Sequence, residues 1–121
     1  MSNKENTAEK AMREFAWALF DEMGWGEMPV TRFKIGNTEN WKGYCYSTGN
    51  DIYVIVSSNM DIHRTEKDFW DSVVHELIHA YLCFNGVPIL KAFGHGKVFK
   101  HHAKMVAEKT NNQFSYKRIM K

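Results

Sequence analysis

Within the apolar stretch "DFWDSVVHELIHAYL" (residues 68–82) stand two imidazoles and a carboxylate, His75, Glu76 and His79. A polar group buried without a partner costs several kcal/mol, on the order of 2–7, so solvent, a hydrogen-bond network or a metal must compensate these three. Histidines at i and i+4 on a helix point the same way and can share one tetrahedral zinc ion. The glutamate between them sits one residue round the helix. From there it can take a proton from a water molecule that the ion activates, rather than bind the ion itself. The competing reading is a helix whose two histidines face solvent at the edge of its apolar stripe.

A third ligand would decide between these. A metzincin would need Gly at 82 and His at 85, where this chain has Leu82 and Asn85. A gluzincin would need a downstream glutamate, and the one acid after the motif, Glu108, sits among Lys104, Ala107 and Lys109 late in a helix. His95, His101 and His102 remain. His95 lies in "FGHGKVFK" between Gly94 and Gly96, which let backbone approach a crowded site closely. His102 falls on an apolar stripe with Val98, Met105 and Val106 and reads as core or as a support behind the ligands. His101 points to the opposite, basic face and His63 lies in a loop, so both read as surface residues.

The elements that must hold these residues follow from periodicity. Ala8, Met12, Phe15, Ala16, Leu19 and Met23 recur at helical spacing over 8–23, with Asn6 and Glu9 as an N-cap pair and Gly24 as a stop. Three β-type runs follow, "VTRFKI" (30–35), "WKGYCYS" (41–47) and "DIYVIVS" (51–57); the short polar turns between them predict an antiparallel meander. A second helix starts near Thr65, with Asp68 completing a capping pattern, and runs to about Cys83, where "NGVP" (85–88) breaks it. A third, over 97–109, is expected to bury Val98, Phe99, His102, Met105 and Val106. The sum is an α+β domain of one N-terminal helix, three strands and two helices.

The chain has 121 residues, and 44% hydrophobic and 14% aromatic content describe one folded domain over 1–121. Cys45 and Cys83 are far apart and form no CxxC pair, which argues for a reducing compartment. The polar start "MSNKENTAEK" has no apolar leader core and no 18 apolar residues run together, so a cytoplasmic protein without a membrane partner is expected. Residues 1–79 carry 8 Lys/Arg against 13 Asp/Glu, whereas residues 80–121 carry 8 against Glu108 alone. That basic end, including a tail over 111–121, can track phosphates or simply be a solvated face.

"HELIHAYL", with fifteen residues between its His79 and the His95 that opens "HGKVFK", resembles the SprT-like metalloprotease domain, the catalytic part of the Spartan proteases. The run "KGYCYSTGNDIYVIVSSN", from Gly43 into Ser57, is similar to the family's strands. The resemblance covers roughly residues 8–110. It implies zinc held by His75, His79 and His95, with Glu76 as general base. It also implies proteolysis of DNA-associated or DNA-crosslinked proteins, with DNA as activator. Bacterial members often end in a four-cysteine zinc ribbon, for which this chain has no cysteines in position.

Lys97, Lys100, Lys104 and Lys109, with Lys117 and Arg118 in "SYKRIMK", are the candidate contacts to single-stranded DNA. A substrate peptide is expected to add to the strand "DIYVIVS". Tyr81 and Tyr116 are the candidate oxyanion donors, Tyr81 being first of all a packing aromatic. Trp41, Tyr44 and Tyr46 read as cross-strand packing rather than as base-stacking rings. Two other functions stay open. One is an HExxH protease of the ImmA/IrrE type that cuts one specific repressor. The other is a non-catalytic DNA-binding module with structural zinc, whose fourth ligand would be His102 or Cys83.

Overall fold

The computed structural model describes residues 5–63, 65–87 and 95–121. Among them seven elements follow in order: α1 (Thr7–Met23), β1 (Arg32–Gly36), β2 (Gly43–Thr48), β3 (Asp51–Ser57), α2 (Glu66–Phe84), α3 (Lys97–Lys109) and α4 (Tyr116–Met120). The architecture is α+β. Both expected capping boxes form, Asn6 with Glu9 on α1 and Thr65 with Asp68 on α2, and Gly24 closes α1 in the left-handed region at φ 68°. Pro88 of the predicted helix break and Gly94 beside His95 lie outside the described residues.

The sheet departs from the expected meander. Its strand order is β1-β3-β2: β2 and β3 form an antiparallel hairpin, but β1 runs parallel to β3, pairing Phe33 with Val54 and Ile35 with Val56. The reason is burial. β3 places Ile52, Val54 and Val56 in the core and is the most apolar strand, so it takes the centre. The six residues between β1 and β2 can span about 20 Å, enough to cross two strand spacings of roughly 5 Å each. "DIYVIVS" is therefore paired on both sides and cannot receive a peptide. Among the described residues the outer edges of β1 and β2 have no strand partner.

The outer edge of β1 is closed by side chains at the start of α1 and just before it. The Phe33 amide donates to Glu5 Oε2 at 2.9 Å and the Ile35 amide to Glu9 Oε2 at 3.0 Å, while Arg13 grips both oxygens of Glu5. Carboxylates thus occupy the donors that an edge strand would otherwise offer to another chain. α2 lies across the inner face of β2 and β3, its Val73, Val74, Leu77 and Ile78 packing in one core with Phe33, Val54 and Val56. On the outer face Tyr46 stacks on its register partner Tyr53 at 5.0 Å, next to Tyr44 and Trp41.

Two further expectations change. Val98 is 47% exposed, and Ala103 and Ala107 fill the buried face of α3 instead, because small side chains let the helix sit close to its neighbours. His63, expected at the surface, is 4% exposed: a turn at Asn59 folds it back, where its ring meets Phe69 edge-on and bonds the Lys42 carbonyl. Within the basic C-terminal segment, Ser115 caps α4 and Ile119 enters the core.

Arg13 holds the Glu5 carboxyl below its ordinary value, chiefly through their hydrogen bonds. That contribution is present above the usual carboxylate pKa and lost as pH falls through the lowered one. Glu5→Gln should therefore cost about 1–2 kcal/mol near pH 7 in urea unfolding, with the difference from wild type shrinking below pH 4. An equal cost at pH 3 and pH 7 would contradict the pairing.

Candidate metal centre

α2 delivers His75 and His79 from adjacent turns, and the chain entering α3 delivers His95 one residue before the Gly96 cap. The three histidines each offer a ring nitrogen, and those nitrogens lie within 4.8 Å of one another. His75 Nε2 and His95 Nε2 stand 2.8 Å apart. All three rings rest against Phe99, at centroid distances of 4.9, 4.5 and 5.0 Å. Phe99 is buried in α3 and is the aromatic residue of "HGKVF", so the second half of the motif supplies both a histidine and the surface on which the cluster rests.

Burial decides the protonation of this cluster. Desolvation pulls His75 down to about 4, and the neighbouring charge of His95 adds to it against the opposing bond to Ile119. Desolvation, then His75 and His95, pull His79 down to about 3. His95 is lowered too, by desolvation and by Lys100. At neutral pH the three are neutral imidazoles. The His75 Nδ1–H donates to the Ile119 carbonyl at 2.7 Å, which leaves its Nε2 lone pair facing His95. Two lone pairs at 2.8 Å repel unless a proton or a cation lies between them. Among the described residues the cluster comprises His75, His79 and His95, three converging nitrogens that could hold a metal ion. Neither His102 nor Cys83 joins it.

Glu76 is 5% exposed, and burial pushes its carboxyl up to about 8. It lies under β2 at Gly43, where an added Cβ would come 2.9 Å from the Ile55 carbonyl oxygen and 3.3 Å from Glu76 Cγ. Only glycine lets the strand approach the carboxylate so closely. Burial, and then the charge of Glu76, also drive the Cys45 thiol far above its ordinary value, so that cysteine is an apolar neighbour and not a nucleophile.

A cleft of about 490 Å³ opens over His75, Glu76 and His95. Lys42 and Gly43 of β2, Ile62 and His63 of the preceding turn, and Arg118, Ile119 and Lys121 at the C-terminal end form its walls; Asp68, Asp71 and Ser72 continue its α2 side. Tyr81 and His102 do not line it. Tyr81 stacks on Trp25 at 4.4 Å, and His102 packs 5.4 Å from Tyr81 while its Nδ1–H donates to the Val98 carbonyl. Tyr116 lies under the Lys104 ammonium. Lys97, Lys100 and Lys104 form an exposed row on α3, and Lys109 and Lys117 are exposed as well. Arg118 is engaged by Asp71 at 3.0 Å.

Sequence reasoning missed the Ile119 carbonyl, the Asp71–Arg118 pair, and the places of His63 and Lys42 in the wall. Ser115 as a cap ahead of Ile119 was a legible signal for α4; a backbone carbonyl that meets an imidazole 44 residues away leaves no mark in composition.

An α+β domain with a histidine triad set on one helix and completed by the start of the next is metallopeptidase-like in its construction. The SprT-like family model matches residues 8–118, and the chain belongs to that family. No curated protein matches the chain.

The Glu76 carboxyl titrates near 4.5 in an unfolded chain and near 8 in the metal-free fold, so the fold holds an extra proton between those values and loses stability as pH rises through them. Chelator-treated Glu76→Gln should thus be more stable than chelator-treated wild type at pH 8, by about 2–4 kcal/mol, and the two should converge by pH 5. Equal unfolding midpoints at pH 8 would refute the desolvation argument.

Proposed function

We propose that this protein is a zinc-dependent endopeptidase whose substrates are proteins lying on or crosslinked to DNA. The observation that carries the reading is the convergence of three imidazole lone pairs beside the buried Glu76 carboxylate, at the floor of an open cleft, in a chain of the SprT-like family. His75, His79 and His95 would hold the ion. Zinc, when bound, supplies the Lewis acidity that makes water acidic and polarises a carbonyl.

The remaining steps belong to the chain. Among the described residues a substrate strand can pair at the outer edge of β2. Ser57 donates its amide to the Lys42 carbonyl, so by strand alternation the amides and carbonyls of Gly43, Cys45 and Ser47 face away from β3. Backbone pairing there gives binding with little side-chain preference and leads the scissile bond past Glu76. Glu76 accepts the proton of the attacking water and passes it to the leaving amide nitrogen. Its burial raises its basicity for the first task and makes the protonated form available for the second.

The DNA partner is supported by the row of Lys97, Lys100 and Lys104, which starts two residues after His95 and faces solvent. Phosphates bound there would bring a DNA-associated protein to the mouth of the cleft. No described helix is long and apolar enough to cross a membrane.

Histone cleavage with and without single-stranded DNA tests the proposal. Glu76→Gln should lower turnover by roughly 10²–10⁴-fold while keeping one zinc per chain. Cleavage that needs Glu76 but ignores DNA would move the substrate to one specific protein, as in repressor-cutting enzymes; full activity of Glu76→Gln would end the protease reading. The double variant Lys100→Glu with Lys104→Glu should weaken single-stranded DNA binding and flatten its salt dependence by about 1–2 units of log–log slope. Unchanged binding would clear α3 of that role.

A further inference from the structure

The bond from His75 Nδ1 to the Ile119 carbonyl has an unusual anchor. The carbonyl belongs to α4, a helix of five residues, and lies one residue beyond the stretch that matches the family. So short a helix has no stability of its own and stays where tertiary contacts put it. The Ile119 side chain, 1% exposed, supplies one of these contacts, and the Lys42 ammonium, bonded to the Lys121 carbonyl at 3.0 Å, supplies another.

The third tie is the informative one. Arg118 Nε donates to Asp71 Oδ2 at 3.0 Å, and the same guanidinium reaches the Gln113 carbonyl. Asp71 stands one turn before His75 on α2, so two residues of one helix face hold two successive residues of α4: Asp71 takes the Arg118 side chain, and His75 takes the Ile119 backbone. Asp71 is 6% exposed, and its other oxygen, Oδ1, is buried without a hydrogen-bond partner among the described residues. A buried ion pair that leaves one oxygen unsatisfied is a poor way to gain stability, since apolar side chains of similar volume commonly do as well or better. What the pair does supply is a fixed position and direction for α4.

We infer that Asp71 and Arg118 are positioning residues of the metal centre: their ion pair seats α4 so that the Ile119 carbonyl holds His75 in the tautomer and orientation that present Nε2 to the ion. Such supports behind a ligating histidine typically govern metal affinity by about 10–100-fold. The inference rests on the metal-centre reading above. It also gives Arg118 a role inside the cleft wall in place of a contact with DNA.

Zinc affinity of the full chain, measured by competition with a chromophoric chelator, tests it. Arg118→Ala should bind zinc about 10–100-fold more weakly than wild type, Arg118→Lys should recover part of the loss, and Lys117→Ala, exposed on the same helix, should bind like wild type. Nitrogen-15 spectra of the metal-free protein give a second readout. Wild-type His75 should carry its proton on Nδ1 alone, and Arg118→Ala should show a mixture of tautomers. Should Arg118→Ala fail to fold, Asp71→Asn, nearly isosteric, reads the same two quantities. A lower melting temperature with unchanged zinc affinity and an unchanged His75 tautomer would make the pair merely structural and overturn the inference. Failure of wild type to bind zinc, or unchanged binding by His79→Ala, would instead overturn the metal centre on which the inference rests.

Discussion

Desolvation of the polar face of α2 is the constraint on which the rest of the structure depends. The helix that packs Val73, Val74, Leu77 and Ile78 into the core also buries Glu76 and His79 and half-buries His75. Nothing in an apolar core stabilises a lone carboxylate, and the result is a glutamate that keeps its proton and histidines that refuse theirs. A cation held at the histidine nitrogens would reverse the first effect without needing the second undone, because neutral imidazole is the form that binds a cation. The same burial that weakens the metal-free fold therefore strengthens the case for an ion.

That constraint explains the close-packed surroundings. Gly43 is a place where a methyl group would strike the Ile55 carbonyl and crowd Glu76, so β2 must be bare there to roof the carboxylate. Phe99 touches all three imidazoles and keeps water from their inner side. With β1 closed by Glu5 and Glu9 and β3 enclosed between its neighbours, the sheet edge without a partner among the described residues is the one that contains Gly43. Carboxylates thus occupy on β1 the donors that would invite a second chain, while among the described residues no strand covers the outer edge of β2.

Local signals carried much of this into the sequence, and non-local ones carried little. The capping boxes at Asn6 and Thr65, the glycine stop at position 24 and the helical spacing of His75 and His79 depend on residues three or four apart, and these read correctly. The place of β1 does not: short polar turns around β2 suggest hairpins, while the pairing is decided by which strand buries most apolar surface, a comparison across the whole sheet. His63 failed for a related reason, since a loop histidine becomes buried only because Phe69 and the Lys42 carbonyl happen to meet it. His95 was reached from its glycine-flanked setting and from the two-part motif, and the structure brings its ring to the other two.

The distribution of charge follows a similar logic once α4 is included. A net positive final third can track phosphates or be a solvated face, and its cations divide by environment. Lys97, Lys100 and Lys104 stand in water on one face of α3, where charge acts at long range and is screened by salt. Arg118 is drawn into the cleft wall by a buried aspartate, where its planar fork fixes geometry and its charge is largely cancelled. Net charge sums the two kinds and cannot distinguish them; burial of the partner can. A basic patch read from composition therefore sums the exposed lysines with an arginine whose guanidinium is held by a buried carboxylate.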